Sequence, residues 1–517
     1  MRRARSASDS NSNSGHKTKR QRRERSEPPR AYDIQLSPQQ ERILHDILTS
    51  PPGRCHLVTG EGGTGKSELY RALALALSDK PGTNVQCTGS TGVAALLVSG
   101  QTIHRLMGFY NKQGDATDIS VIDALAVQLR TNHMNFKKYA QLNNITHVQL
   151  DEISMLRPLF VDNVDRMFRE VRRKPNVPFG GVSMIFFGDF LQIPPVDDNR
   201  DVNNPDTRTF AFESYVWNEA QVKCHLLDHS FRHDKDPEYK LILSDLRMGV
   251  VTPEGEALLK SCVRDPSPDL LVTHIYPTHR LVDAENARRL ASLVGEEHVY
   301  KSIDTFHCEP RQQDAMRRIL DNTPAPMTLI LKQDAQVMFL RNMNVSTILA
   351  HGGTIPGIDP ENVSPETAQT LLLGNGSIGK VVGFGSVGEG QPSMPIVHFP
   401  ETGIRMPVYA HAWTIDDRPG GKPQAQRSQV PLKLCWSITS HKSQGQTITS
   451  AVVADLSSVF TFGQAYVILS RVKSRDQLYL KPFEMEKIKA HPTAVAFYEQ
   501  LAKQKALETA FEADFEV

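Results

Sequence analysis

The segment Gly60-Glu61-Gly62-Gly63-Thr64-Gly65-Lys66-Ser67 has the residue types and spacing of a phosphate-binding loop. Glycines let successive backbone N–H groups turn inward around an anion. Lys66 is placed to reach β- and γ-phosphates, and the Ser67 hydroxyl is placed as an oxygen ligand for Mg2+. Further on, Leu150-Asp151-Glu152 closes an apolar stretch. A carboxylate at the end of a strand can hold the same cation, and a neighbouring glutamate can polarise the attacking water. Asp151 is therefore read as the metal ligand and Glu152 as the base. A third apolar run, Met184 to Phe187, ends in Gly188-Asp189-Phe190-Leu191-Gln192-Ile193-Pro194-Pro195. Gln192 could sense a γ-phosphate from that loop, while Gly188-Asp189 taken alone reads as a turn. Together these residues can hydrolyse a nucleoside triphosphate.

Such residues need strands and helices to aim them. Residues 55–59 read as a short buried strand. Ser67 to Leu77, with Leu69, Leu73 and Leu77 four apart, reads as a helix whose N-terminus faces the phosphates. Further strands are expected at 84–88, 146–150 and 183–187, alternating with helices. That pattern predicts an α/β fold with a parallel sheet covered on both faces and ligands at the strands' carboxyl ends. His147 and Gln149 place polar groups in a strand that should be apolar, so each needs a partner. The first α/β lobe is expected at 31–225, interrupted at about 108–144. A second lobe is expected at 226–324 and 435–485, split by antiparallel strands at 325–434 that would close a small β-barrel. Residues 344–372 read as an extra loop in that barrel, and 486–517 hold a terminal helix.

The order of the motifs resembles the petite-integration-frequency (Pif-type) family of superfamily 1B DNA helicases, from Leu36 to about Leu480. Leu36-Ser37-Pro38-Gln39-Gln40 is similar to the family's adenine-reading segment. Ser90-Thr91-Gly92-Val93-Ala94-Ala95 and Gln101-Thr102-Ile103-His104 are similar to its first DNA-contact motif. The stretch from Asp151-Glu152-Ile153-Ser154-Met155 through Pro178-Phe179-Gly180-Gly181 to Pro194-Pro195-Val196 covers its signature segment. His441-Lys442-Ser443-Gln444-Gly445-Gln446-Thr447 and Gly463 to Val472 resemble motifs five and six. The resemblance implies two RecA-like P-loop lobes, a small wedge insertion in the first and an SH3-like β-barrel insertion in the second.

It implies an ATP-hydrolysing helicase moving 5′ to 3′ on single-stranded DNA, with ATP and Mg2+ as cofactors. Single-stranded and forked DNA would be its partners, bound by a monomer, in DNA repair, recombination and telomere maintenance. ATP binding is carried over to Gln40, Gly60, Glu61, Gly62, Gly63, Thr64, Gly65, Lys66, Ser67, Gln444 and Gly445. Arg232, in Ser230-Phe231-Arg232-His233, and Arg471 match the motif-four and motif-six arginines. DNA contact is carried over to Thr91, Gly92, Thr102 and His104 on the first lobe, and to Thr439, His441 and Lys442 on the second. His233 stands where the family usually has Gln, and the Trp often found before the Asp151 strand is absent. Two other readings share these motifs: the helicase module of a mobile element, and a DNA-binding protein of this fold without turnover.

Composition sets the outer bounds. The 517 residues allow roughly three or four units at about 150 each. No apolar run approaches the ~20 residues of a membrane span. The six cysteines form no C-x-x-C pair, which argues against a structural zinc or an iron–sulfur cluster. The net charge of +1 conceals an uneven distribution. Residues 1–30 hold ten Lys/Arg against three acidic residues and leave the rest of the chain net acidic. A nucleic acid would then bind in a local channel rather than over a general basic surface. The tail, with few large apolar residues, is expected to be disordered. Lys17-Thr18-Lys19-Arg20-Gln21-Arg22-Arg23 reads as a nuclear import signal or a phosphate-binding arm, and the start Arg2-Arg3-Ala4-Arg5-Ser6-Ala7-Ser8 permits a mitochondrial presequence as the alternative.

Overall fold

The computed structural model describes residues 34–515, apart from 99, 110–112, 133–134, 196–206, 268–269, 322, 324, 370, 375, 386–392, 416–422 and 449. The basic tail, Val196 and Asn375 therefore lie outside the described residues. Six strands build the first sheet: His56–Gly60 (β1), Val85–Gly89 (β2), Gln101–Thr102 (β3), His147–Asp151 (β4), Ser183–Gly188 (β5) and Lys223–Leu227 (β6). All pairings are parallel, in the order β3-β2-β4-β5-β1-β6. Continuous apolar runs explain this, because β1 and β5 are buried along their whole length and covered on both faces. The helix Lys66–Asp79 lays Leu69, Leu73 and Leu77 on the sheet. The helix Pro38–Thr49 starts at a capping box, in which Ser37 Oγ accepts from Gln40 N–H and Gln40 Oε1 accepts from Ser37 N–H.

The two polar residues of β4 find partners. Gln149 is fully buried, and with its side-chain amide turned to suit its neighbours the nitrogen donates to Tyr70 O at 3.2 Å and the oxygen accepts from Ala74 N at 3.1 Å in the neighbouring helix. His147 Nδ1 meets Thr146 Oγ1 at 2.9 Å. Between 108 and 144 the chain forms two helices, Ile119–Thr131 and Phe136–Asn144. They bury Ile122, Ala126, Leu129 and Leu142 in the first core against Pro158–Arg172, so this stretch is packed structure and not a linker.

The second lobe holds a four-stranded parallel sheet. Val272–Tyr276 (β7) lies between Ser437–Thr439 and Ala451–Ala454, and Leu478–Leu480 forms the far edge. The intervening antiparallel part departs from expectation in three ways. Its pairing begins near 298 and not at 325, since His298–Lys301 pairs with Thr328–Leu331 and Ile303–Phe306 with Ala425–Gln429. Its main ladder runs Ile404–Pro407, Met394–Phe399, Ile378–Gly385, Gln336–Phe339, Leu432–Leu434. Among the described residues no bond joins the two outer strands, so the ladder is open where a closed barrel was expected. Residues 344–372 contain helices at Val345–Ala350 and Pro365–Gln369, and Val345 and Ile348 are buried in this unit's own core. The terminal helix, Pro492–Phe515, returns to the first lobe, where Ala494 and Tyr498 join the core.

Burial leaves several imidazoles poorly able to charge. His56 and His225 stack on adjacent strands with Nδ1 and Nε2 3.1 Å apart. Both are pushed down to about 4 by desolvation, as are His233, His274 and His411. A base depressed in the folded state stabilises it above the unfolded value and loses that contribution as pH falls toward the folded value. Urea unfolding should therefore show stability dropping from pH 6.5 to 4, with the His56–His225 pair contributing on the order of 2–3 kcal/mol. Replacing His225 by Asn should flatten that profile; an unchanged slope would show that the pair does not carry it.

Candidate nucleotide site between the lobes

The phosphate loop and the two sequence-assigned carboxylates lie at the carboxyl edge of the first sheet, and Arg232, Gln444, Gly445 and Arg471 come to it from beyond that sheet. The loop Gly60–Ser67 leaves the end of β1, Asp151 ends β4, and Asp189 follows β5. Gly65 has φ +78°, and a Cβ there would stand 2.3 Å from Gln40 Nε2, so only glycine fits. Gln40 Nε2 donates to Thr64 O and Gly65 O at 3.3 and 3.2 Å, which puts its amide on the loop itself. Lys66 Nζ donates to Gly60 O and Glu61 O at 2.7 and 2.8 Å. Burial pulls Lys66 below the usual ammonium value, against the pull of Asp189 and Glu152.

The carboxylates are poised to meet positive charge. Desolvation raises Asp151 to about 6, and Asp151 Oδ1 accepts the Glu152 N–H at 3.0 Å. Glu152 is raised to about 7, first by desolvation and then by Asp151. Its backbone sits at φ +54°, a strained conformation for a non-glycine residue. Oxygen donors from Ser67 and Asp151 fit a hard divalent cation. Gln444 Nε2 reaches across from the second lobe to Glu152 Oε2 at 3.4 Å, and the following Gly445 turns with φ +73°. Gln192 is buried, with Nε2 3.4 Å from Asp189 Oδ2 and Oε1 lacking a partner.

Both arginines converge on the loop. A Cβ on Gly62 would stand 3.2 Å from Arg232 Nη1 and 3.4 Å from Arg471 Nη2. Arg232 donates to Ser470 O at 2.8 Å, and its Nε is buried without a partner. Desolvation, and then Arg471, push it down to about 9. Arg471 is 1% exposed and donates to the carbonyls of Val467, Ser443 and Gln446. Among the described residues neither guanidinium has a carboxylate in ion-pair range. His233 spends both ring nitrogens on protein, at Ser230 Oγ and Val472 O, and so contributes to the joint and not to a ligand.

The candidate DNA residues divide between two sheet edges. Thr91 and Gly92 follow β2, Thr102 ends β3 and His104 follows it. Thr439 ends the outer strand of the second sheet, and His441 and Lys442 follow it. Thr91, Thr102 and Thr439 each accept the backbone N–H three residues on, which leaves the hydroxyl proton able to donate outward. Thr439 is nevertheless buried, and His104 lays its ring against Phe160 at 4.3 Å. His441 Nε2 is buried without a partner, and Lys442 is exposed.

Sequence reasoning missed the contributions of five residues. Asp189 opens the turn read from the sequence, its carbonyl accepting from Gln192 N–H at 3.1 Å, but it does more than turn the chain. It is fully buried, and Arg247, from the second-lobe helix Pro237–Arg247, grips it at 2.7 and 3.0 Å. Burial would raise Asp189, but Arg247 outweighs it and holds the carboxyl below its ordinary value. Tyr466 OH accepts from Gly62 N–H at 3.2 Å, and Ser244 Oγ donates to Glu61 Oε1 at 2.6 Å. Phe231, half-exposed, brings a ring edge within 3.6 Å of the Gly65 Cβ position, beside the Gln40 amide. An aromatic preceding Arg232 was the one visible signal; the others are ordinary residues in sequence.

A phosphate loop on one α/β lobe faced by two unpaired buried arginines from the other defines a two-lobed P-loop protein. Residues 35–242 match the PIF1-like helicase family model. The chain is 31% identical to the ATP-dependent DNA helicase PIF1 of Saccharomyces cerevisiae over 94% of its length, spanning 64% of that relative. It is also 31% identical to the Pif1 helicase of Candida albicans, whose crystal structure aligns with TM-score 0.64 over 91% of this chain and 100% of that one. A Bacteroides Pif1 bound to single-stranded DNA shares the fold at 24% identity, with TM-score 0.59 over 92% of this chain and 98% of that one. The chain belongs to the PIF1-like helicase family.

Arg247→Met would strand the Asp189 charge in the joint. A loss of about 3–5 kcal/mol in urea unfolding is expected. The double variant Asp189→Asn/Arg247→Met should recover most of it. Equal losses in both would show that the unpaired charge is not the cause.

Proposed function

We propose that this chain is an ATP-hydrolysing DNA helicase that uses Mg2+ and moves 5′ to 3′ on single-stranded DNA. The observation that carries the reading is the pair Arg232 and Arg471, buried over Gly62 with no carboxylate in ion-pair range among the described residues. A terminal phosphate supplies the anion, and such an arginine can contribute ~10³–10⁵ in rate. Lys66 exchanges the carbonyls of Gly60 and Glu61 for phosphate oxygens. Ser67 and Asp151 would hold Mg2+, which supplies charge neutralisation at the β- and γ-phosphates. Glu152, raised by burial, accepts the proton of the attacking water at its carboxylate. Gln192 offers its unpartnered amide oxygen as an acceptor to the same water.

DNA lying across both carboxyl edges would favour closure and bring the arginines onto the nucleotide. Thr91, Thr102 and Lys442 contact phosphates without reading bases, so little sequence preference is expected. The direction follows the superfamily 1B pattern that the motifs resemble, and family membership supports a place in genome maintenance. The basic stretch Lys17–Arg23 supports nuclear targeting.

Two outcomes test this. ATP turnover should rise at least tenfold when single-stranded DNA is added, and Glu152→Gln should bind ATP yet lose about 10²–10⁴ of that turnover. Near-normal turnover in Glu152→Gln would remove the base assignment. A fork with only a 5′ tail should be unwound, and one with only a 3′ tail should stay paired. Efficient unwinding from the 3′ tail would refute the direction.

A further inference from the structure

The helix Pro492–Phe515 begins beside the first strand of the nucleotide site. Ile488 is packed in the second core, whereas Ala494 and Tyr498 are packed in the first, so residues 488–498 cross the joint. Lys489 O accepts from Gly463 N–H, at the start of the helix that carries Tyr466 and leads to Arg471. Phe497 stacks face to face on Phe212 at 4.3 Å and meets Phe190 edge-on at 5.6 Å. Lys505 closes on Asp228 at 2.7 Å. The helix is therefore held at several points, and Tyr498 is held rigidly within it.

The Tyr498 hydroxyl has all of its hydrogen-bonding capacity engaged. It donates to Asp189 Oδ1 at 3.1 Å, and it accepts from Phe190 N–H at 3.2 Å and from the Thr59 hydroxyl. Its ring supports the Arg247 guanidinium at 4.4 Å. The placement of these partners matters more than their number. Thr59 immediately precedes Gly60, the first residue of the phosphate loop. Asp189 and Phe190 open the turn that carries Gln192, whose buried amide oxygen has no partner among the described residues. Thr59 pairs with Gly188 across β1 and β5, so the hydroxyl bridges two adjacent strand ends where both become catalytic loops. Asp189 is also the residue that Arg247 grips from the second lobe.

We infer that Tyr498 is a positioning residue of the ATP site. Through Thr59 and Asp189 it sets the phosphate loop and the Gln192 turn against each other, and the C-terminal helix acts as a clasp over the joint. The inference rests on the ATPase reading above. Its expected signature is kinetic. Losing the hydroxyl lets the Gln192 turn and the loop drift by fractions of an ångström, which lowers the chemical step while leaving the phosphate contacts that bind ATP.

The test is steady-state ATP hydrolysis with saturating single-stranded DNA on the full chain. Tyr498→Phe keeps the ring under Arg247 and removes only the hydroxyl. It should lower kcat about tenfold or more and change the KM for ATP by less than about threefold. Thr59→Val removes the partner from the other side and should give the same split. The double variant should lose no more than either single one, as expected for residues acting as one unit. Phe497→Leu loosens the same helix without touching the hydroxyl; it should lower the thermal unfolding midpoint and leave kcat within about twofold. The inference is overturned if Tyr498→Phe keeps kcat within twofold. It is equally overturned if kcat in Tyr498→Phe and Phe497→Leu falls only in step with their unfolding midpoints. If Tyr498→Phe does not fold, Thr59→Val decides by the same criterion. A wild-type chain without ATPase activity would refute the nucleotide reading itself, an outcome distinct from an active wild type with active variants.

Discussion

Two α/β cores meet over a desolvated ion pair, Asp189 with Arg247, and the geometry of the nucleotide site depends on that meeting. A buried ion pair contributes little net stability, because removing two charges from water offsets most of their attraction. What it supplies is register. Arg247 reaches Asp189 through two hydrogen bonds at 2.7 and 3.0 Å, so the second lobe can dock in few other positions without stranding a charge. That docking sets Arg232 and Arg471 over Gly62 and brings Gln444 to Glu152. The residues that would act on a terminal phosphate thus come from both lobes.

The electrostatics of the site follow from its dryness. Asp151 and Glu152 are raised by desolvation, while Arg232, Arg471 and Lys66 are pulled down by it. Each group is displaced toward its neutral form, although opposite charges stand nearby. A triphosphate with a divalent cation supplies what both sets lack: anionic oxygens for the basic groups and positive charge for the carboxylates. The left-handed backbone of Glu152 is a further sign of local structure maintained for chemistry. Surrounding apolar packing, including Ile153 and Phe186, holds that conformation in place.

The antiparallel insertion and the C-terminal helix show how far the second half of the chain works on the first. Gly376, in a turn of the insertion, has a Cβ position 3.9 Å from Gln446 Oε1, next to the carbonyl that Arg471 uses. The terminal helix brings Tyr498 to Thr59, 439 residues away in sequence. These contacts make the first lobe's catalytic edge a composite of segments from the whole chain.

The sequence alone determined the parts governed by local physics. The phosphate loop was legible because glycine spacing, an apolar strand before it and a leucine-faced helix after it are short-range patterns. The core strands were placed within a residue of β1, β2, β4 and β5, because a strand buried on both faces must be apolar throughout. The roles of Lys66, Asp151 and Glu152 rested on the same local grammar, and the two arginines on motif order. Only the tertiary structure decided the rest. Asp189 read as no more than a turn because its partner lies 58 residues on, Arg247 sits in an ordinary amphipathic helix, and Tyr498 sits in a helix with no apolar stripe to mark its buried face. The pairing of 298–306 with strands more than 25 residues later was invisible, since antiparallel register depends on long-range hydrogen bonds that no local pattern encodes. Local periodicity records which face of an element is buried; which distant side chain completes a buried charge or hydroxyl is settled only when the lobes pack.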